Sequence, residues 1–147
     1  LYTFWKRSVN PPRQLIFDAG GREACDVGVR RTNTPLQALV LMNDVTFLEA
    51  ARHLAETVLR EKPAIEPGLA RLYRRATALQ PDAKQLAILG DSLAFFTEHF
   101  TGSPDEAGRF LDAGESPRDE SIPASEHAAW TAVAHLILNL DTTISVQ

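Results

Sequence analysis

The chain has 147 residues, 44% of them hydrophobic and 23% charged, with a formal net charge of −4 and a single cysteine. That length and balance suit one domain with a real core, and they exclude whole-chain disorder and an internal disulfide. The charge is unevenly spread: residues 1–35 hold six Lys and Arg against three acids, a net +3, which leaves −7 for the remainder. No dense Lys/Arg stripe accompanies the basic head, so nucleic acid is not an expected partner. The longest apolar stretch, "AAWTAVAHLILNL", is too short and too polar to span a bilayer.

The chain opens at Leu1 on "LYTFWKR". This reads as the interior of something longer, so a C-terminal piece of a larger protein is expected. Tyr2, Phe4 and Trp5 alternate in the manner of a short extended segment, and "VNPP" continues in extended geometry. Residues 13–33 show no sustained period and hold Gly20, Gly21 and Gly28. Residues 1–33 are therefore expected to form an extended arm and irregular loop, with residues 34–147 as the helical domain.

Helical signals begin at "RRTNTPLQALVLMND", residues 30–44. Thr34 fits an N-cap, Pro35 the first helical position and Gln37 the reciprocal place in a capping box. A break at "MND" lets Asn43 or Asp44 cap a second helix, whose Phe47, Ala51, Leu54 and Val58 share one face. A third helix is expected over about 67–79, with Leu69, Leu72, Tyr73, Ala76 and Leu79 together. Leu86, Leu89, Leu93, Phe96 and Phe100 repeat at three and four residues, which predicts a helix over 81–100 with Pro81 in its first turn. Ser103 is placed to cap a short helix through Leu111, and "AGESPRDESIP" reads as a polar loop. The last helix, 123–140, has Trp130, Val133, Ile137 and Leu140 on one face and Leu136 and Leu138 on another. Such a helix belongs at the centre of a bundle. The fold class expected is all-α, about five or six helices with an extended, irregular N-terminal arm.

The entrance to the first long helix is the one place where a ligand site is worth weighing. A helix N-terminus attracts anions, and Arg30, Arg31, Thr32, Asn33 and Thr34 add donors suited to a carboxylate, sulfate or phosphate. The structural alternative is that Arg30 or Arg31 reaches back to Asp18, Glu23 or Asp26 and pins the loop, with Asn33 bracing it. No phosphate-loop pattern is present. His53, His99, His127 and His135 fall in no close metal-binding spacing, no haem-attachment motif exists, and Cys25 lacks an evident base. No catalytic residues, metal site or cofactor are expected in this segment.

"LYTFWKR", "FDA" with "RE-C", "RTNTPLQALVLMND-TFLEAAR-LAE", "GESP" and "AAWTAVAHLILNLD" together closely resemble the C-terminal part of the planctomycete-specific domain of unknown function numbered fifteen fifty-three. Members of that family look like large exported proteins, often with an N-terminal cytochrome c-like domain, and have no established reaction. The resemblance implies a periplasmic or cell-envelope location. It also implies partners within the remainder of the parent polypeptide, including a cytochrome c-like domain, or a second copy of the chain. The expected function is a non-catalytic helical interaction and structural module. The rival expectation is part of a carbohydrate- or sulfate-handling enzyme site centred on the loop before residue 34.

Overall fold

The computed structural model describes residues 12–18, 32 and 34–144. Among these the chain is all-helical: α1 (Pro12–Ile16), α2 (Pro35–Asn43), α3 (Val45–Leu59), α4 (Ile65–Thr77), α5 (Ala83–Gly102), α6 (Pro104–Leu111), α7 (Ala124–Leu138) and α8 (Asp141–Ile144). The all-α expectation holds. One turn of helix, α1, lies in the stretch expected to be irregular. Pro12 begins it, where a fixed φ and a missing N–H cost a helix nothing.

Most helix starts follow local chemistry. Thr34 caps α2 through a complete capping box with Gln37, and Asp82 caps α5 through another with Gln85. Asp44 ends α2 and caps α3, its carboxylate accepting from the Thr46 N–H at 2.9 Å. Pro81 therefore stands just before the α5 cap, not inside the first turn. α4 ends early because Ala78 turns left-handed at φ 61°, which throws Leu79 off the inner face and leaves it half exposed. Ser103 precedes α6 as expected, but its hydroxyl makes no capping bond.

α7 is the axis of the bundle. Residues His127 to Ala134 are buried without interruption, and Ile137 follows one turn on. A helix can be covered on every side only when neighbours approach closely, and Ala128, Ala129, Ala132 and Ala134 permit that. α3 contributes Ala51, Ala55 and Val58 to this core, α4 Leu69, Leu72 and Tyr73, α5 Leu89, Leu93 and Phe100, and α6 Ala107 and Leu111. Gly68 marks the tightest approach: a Cβ there would lie 2.6 Å from the Trp130 ring and 2.9 Å from Pro63. The Phe100 ring stacks on Phe110 with centroids 5.5 Å apart, which ties α5 to α6. No helix among the described residues is long and apolar enough to cross a membrane.

Candidate functional site

Three regions carry chemistry: the entrance to α2, a charged cluster on α3, and a groove beside α5. At the entrance, the Thr34 hydroxyl accepts from the Gln37 N–H at 3.3 Å, and Gln37 Oε1 accepts from the Thr34 N–H at 2.9 Å. Gln37 is only 1% exposed and has a second task. Its amide nitrogen donates to the Ile16 carbonyl at 2.8 Å and to Thr32 Oγ1 at 3.1 Å, which fastens α1 to α2. Thr32 in turn donates to Asp18 Oδ2 twice, from its backbone N–H at 3.0 Å and its hydroxyl at 2.5 Å. The donors considered for a bound anion thus include two that hold the chain's own carboxylate. Among the described residues, Thr32 is brought to Asp18. Arg30, Arg31, Asn33, Glu23, Cys25 and Asp26 lie outside the described residues, as do the contacts expected of them.

The charged cluster was not legible in the sequence. Arg52 on α3 is 2% exposed. Its Nη1 donates to the Leu111 carbonyl at 2.6 Å, and its Nη2 to the Ser116 carbonyl at 2.7 Å and the Ser116 hydroxyl at 2.9 Å. Glu49 and Glu56, one turn to either side, offset its charge at 3.6 and 3.9 Å. Glu49 also accepts from the Ser116 backbone N–H at 2.7 Å and from the Ser116 hydroxyl. Those two hydrogen bonds, with Arg52 adding, hold its carboxyl below the usual carboxylate range. Asp119 accepts from the Ser121 hydroxyl at 2.6 Å, the Ser121 N–H at 3.0 Å and Arg60 Nε at 2.9 Å, and its pKa falls to about 2. Glu49 and Arg52 of α3, with Arg60 at its C-cap, thereby clamp the loop between α6 and α7.

Within the clamp, His53 Nε2 lies 2.7 Å from Ser116 Oγ, and His53 Nδ1 lies 3.0 Å from Glu56 Oε2. These distances match a serine–histidine–carboxylate relay. The proton inventory does not. Ser116 has one hydroxyl proton, and the ionised Glu49 carboxylate takes it while Arg52 donates to the same oxygen. The Ser116 hydroxyl thus answers Glu49 and Arg52 as well as His53, and it is not held by the imidazole alone. The arrangement is a latch in which Arg52 Nε alone of that guanidinium's nitrogens makes no hydrogen bond among the described residues.

Behind the latch, His127 is fully buried, and neither ring nitrogen has a hydrogen-bond partner among the described residues. Burial pushes its pKa below the ordinary histidine value, only partly opposed by Glu56 at 3.6 Å. His135 donates from Nε2 to the Leu41 carbonyl at 2.9 Å, tying α7 to α2. No group of three or more His, Cys, Asp or Glu among the described residues is placed to hold a metal ion.

The third region is an open groove of about 1090 Å³ between the α3–α4 turn, α5 and the segment leading into α7. Leu59, Pro63, Ile65, Leu93, Ile122 and Trp130 give it an apolar surface. The α5 wall sets small residues, Gly90, Ala94, Thr97 and Thr101, at intervals of four, three and four positions beside Leu93 and Glu98. Lys62, Glu98 and Glu126 line it, and none of these side chains forms an ion pair or hydrogen bond among the described residues. Arg60 also lines it, already paired with Asp119.

Fold and site together define an all-α domain with a hydrogen-bonded polar cluster on α3 and an open groove beside α5. The family PSD1, described as "Protein of unknown function (DUF1553)", matches residues 1–93, more than half of the chain. The chain belongs to that family. The match ends inside α5, so "GESP" and the α7 stretch lie beyond it. No curated protein and no solved structure matches the chain.

Proposed function

We propose that this chain is a helical interaction and structural module of a larger exported protein, with no reaction of its own, and that the groove beside α5 is its contact face. The groove is the observation that carries this reading. It is apolar, it is open, and it lies beside charges that nothing in the described chain answers. A surface of that kind is stable in water but gains from being covered. The α3 cluster supports the same reading from the other side, because its polar groups spend their hydrogen bonds inside the domain.

The test is thiol protection. In a Cys25→Ser background, Ala94→Cys places one reactive thiol on the groove wall. Its alkylation rate is compared in this chain alone and in the longer polypeptide. A contact face gives a rate slowed at least about tenfold in the longer polypeptide, the factor that corresponds to about 1.4 kcal/mol of coverage. Equal rates would show that the groove is not where the module is held.

A further inference from the structure

The small-residue wall, the free charges and one glycine together narrow what the groove receives. We infer that its occupant is an amphipathic helix carrying a basic residue beside its apolar face. This rests on the module reading and specifies the partner.

Gly90 is the first reason. It lies inside α5, a 20-residue helix, where glycine is the least favourable residue apart from proline. Inside the chain nothing requires it: a Cβ built at Gly90 meets no atom within 4 Å. Gly68 is the contrast, since Trp130 and Pro63 crowd the place of its missing side chain. The space at Gly90 is therefore open toward the groove and available to something outside the domain.

The wall geometry is the second reason. Gly90, Ala94, Thr97 and Thr101 form a shallow furrow along α5. Ridges of a second helix settle into such a furrow, and small residues allow the short end of the usual interaxial range. Pro63, Ile65 and Ile122, apolar lining residues that are not buried, then receive the apolar side chains of that helix.

Charge is the third reason. Setting aside Arg60, which Asp119 neutralises, the groove holds two free carboxylates, Glu98 and Glu126, against one free ammonium, Lys62. Excess negative charge favours a partner bearing Lys or Arg at the matching position, and its effect is largest on partner choice and on-rate.

The experiment titrates the complete 147-residue chain with three fluorescein-labelled synthetic peptides at low salt, read by anisotropy. Two share one Leu/Ala helical face and differ only in flanking lysines or glutamates; the third is the lysine peptide broken by a central proline. We expect the lysine peptide to bind about tenfold more tightly than the glutamate peptide, with the preference shrinking as salt rises. The broken peptide should bind much more weakly. E98K with E126K should reverse the preference, and Gly90→Leu should abolish binding of both helical peptides while leaving the thermal midpoint unchanged or raised. Equal affinities that Gly90→Leu still abolishes would sink the charge argument and leave the module reading intact. Equal binding of the broken peptide would sink the helical occupant. Absence of binding by every peptide overturns the inference, whereas the module reading stands or falls on thiol protection at position 94.

Discussion

The two long flanks of the bundle solve opposite problems. On the α3 side, the buried Arg52 is answered largely from within: its two terminal nitrogens reach two backbone carbonyls and a hydroxyl, and Glu49 and Glu56 balance its charge. On the α5 side, apolar side chains and three free charges face an open groove. The difference separates what folds the domain from what the domain offers to others. A closed network fixes the loop before α7, and that loop supplies Ile122 to the groove. The latch is thus a brace for the groove as well as a contributor to stability.

The comparison breaks most visibly at Arg52. Arg52→Met removes the cation while leaving the Leu111 and Ser116 carbonyls without their donor and taking one cation from the buried Glu56. Stranding buried charge in this way costs about 3–5 kcal/mol, so the urea midpoint should fall steeply with little change in slope. A loss under about 1 kcal/mol would show that the cluster is a surface ornament.

Acid probes the same face. His127 is buried neutral, so its folded pKa lies below the unfolded value of 6.5. Between those two values the unfolded chain binds the extra proton. Stability is complete above 6.5 and is lost as pH falls through the folded value. The charged groups that face His127 are Glu56 and Arg52 on α3 and Arg118 in the loop. Glu49 and Asp119 act lower: their depressed values give stability that is present above the ordinary carboxylate range, and for Asp119 it is lost as pH falls through about 2. Denaturation midpoints should therefore decline below pH 6.5, and His127→Leu should flatten the first part of that decline. A decline that is unchanged in the variant would assign it to other groups.

A core glycine sharpens the contrast by sterics. Gly68→Ala drives a methyl against Trp130 and Pro63, and overpacking of this kind costs about 1–3 kcal/mol. Thr34→Ala should cost about 1 kcal/mol through the lost cap, since the Gln37 N–H loses its side-chain acceptor. A larger loss would mean that the Thr32–Asp18–Gln37 links also fail. Hydrogen exchange at residues 14–18 reads that directly.

Much of the fold could be read locally because its causes are local. Capping at Thr34, Asp44 and Asp82 and the three-four repeats of α3 and α5 are decided within a few residues. The all-round apolar character of α7 announced a central helix. The end of α4 was misread because Leu79 continues the apolar pattern, yet the left-handed turn at Ala78 stops the helix before it. The latch and the groove were invisible for another reason. Glu49, Arg52, His53, Glu56 and Arg60 repeat at helical spacing, which is the pattern of a solvated face. What buries Arg52 and Glu56 is a loop 64 residues further along, and no spacing within α3 encodes it. Capping chemistry pointed to Gln37, but its bond to Ile16 spans 21 residues and needed the fold to be seen.

Gly90→Ala carries the smallest expected effect, and its sign is the informative part. In a helix interior, replacing glycine by alanine removes backbone freedom from the unfolded chain and stabilises by about 0.5–1 kcal/mol when space allows. Space does allow it, because no atom lies within 4 Å of the added methyl. The same exchange at Gly68 should destabilise, so two glycine-to-alanine changes on neighbouring helices should move the thermal midpoint in opposite directions. If the groove is only an imperfection in packing, Gly90→Ala improves the protein without cost to anything. If it is a furrow for a helix, the methyl group stands where the partner's backbone must come close, and affinity for the lysine-flanked peptide falls as the midpoint rises. Thermal unfolding and anisotropy on one preparation decide between these. A gain in stability with unchanged affinity would leave Gly90 without a role in binding and would place any partner higher on the groove wall, away from α5.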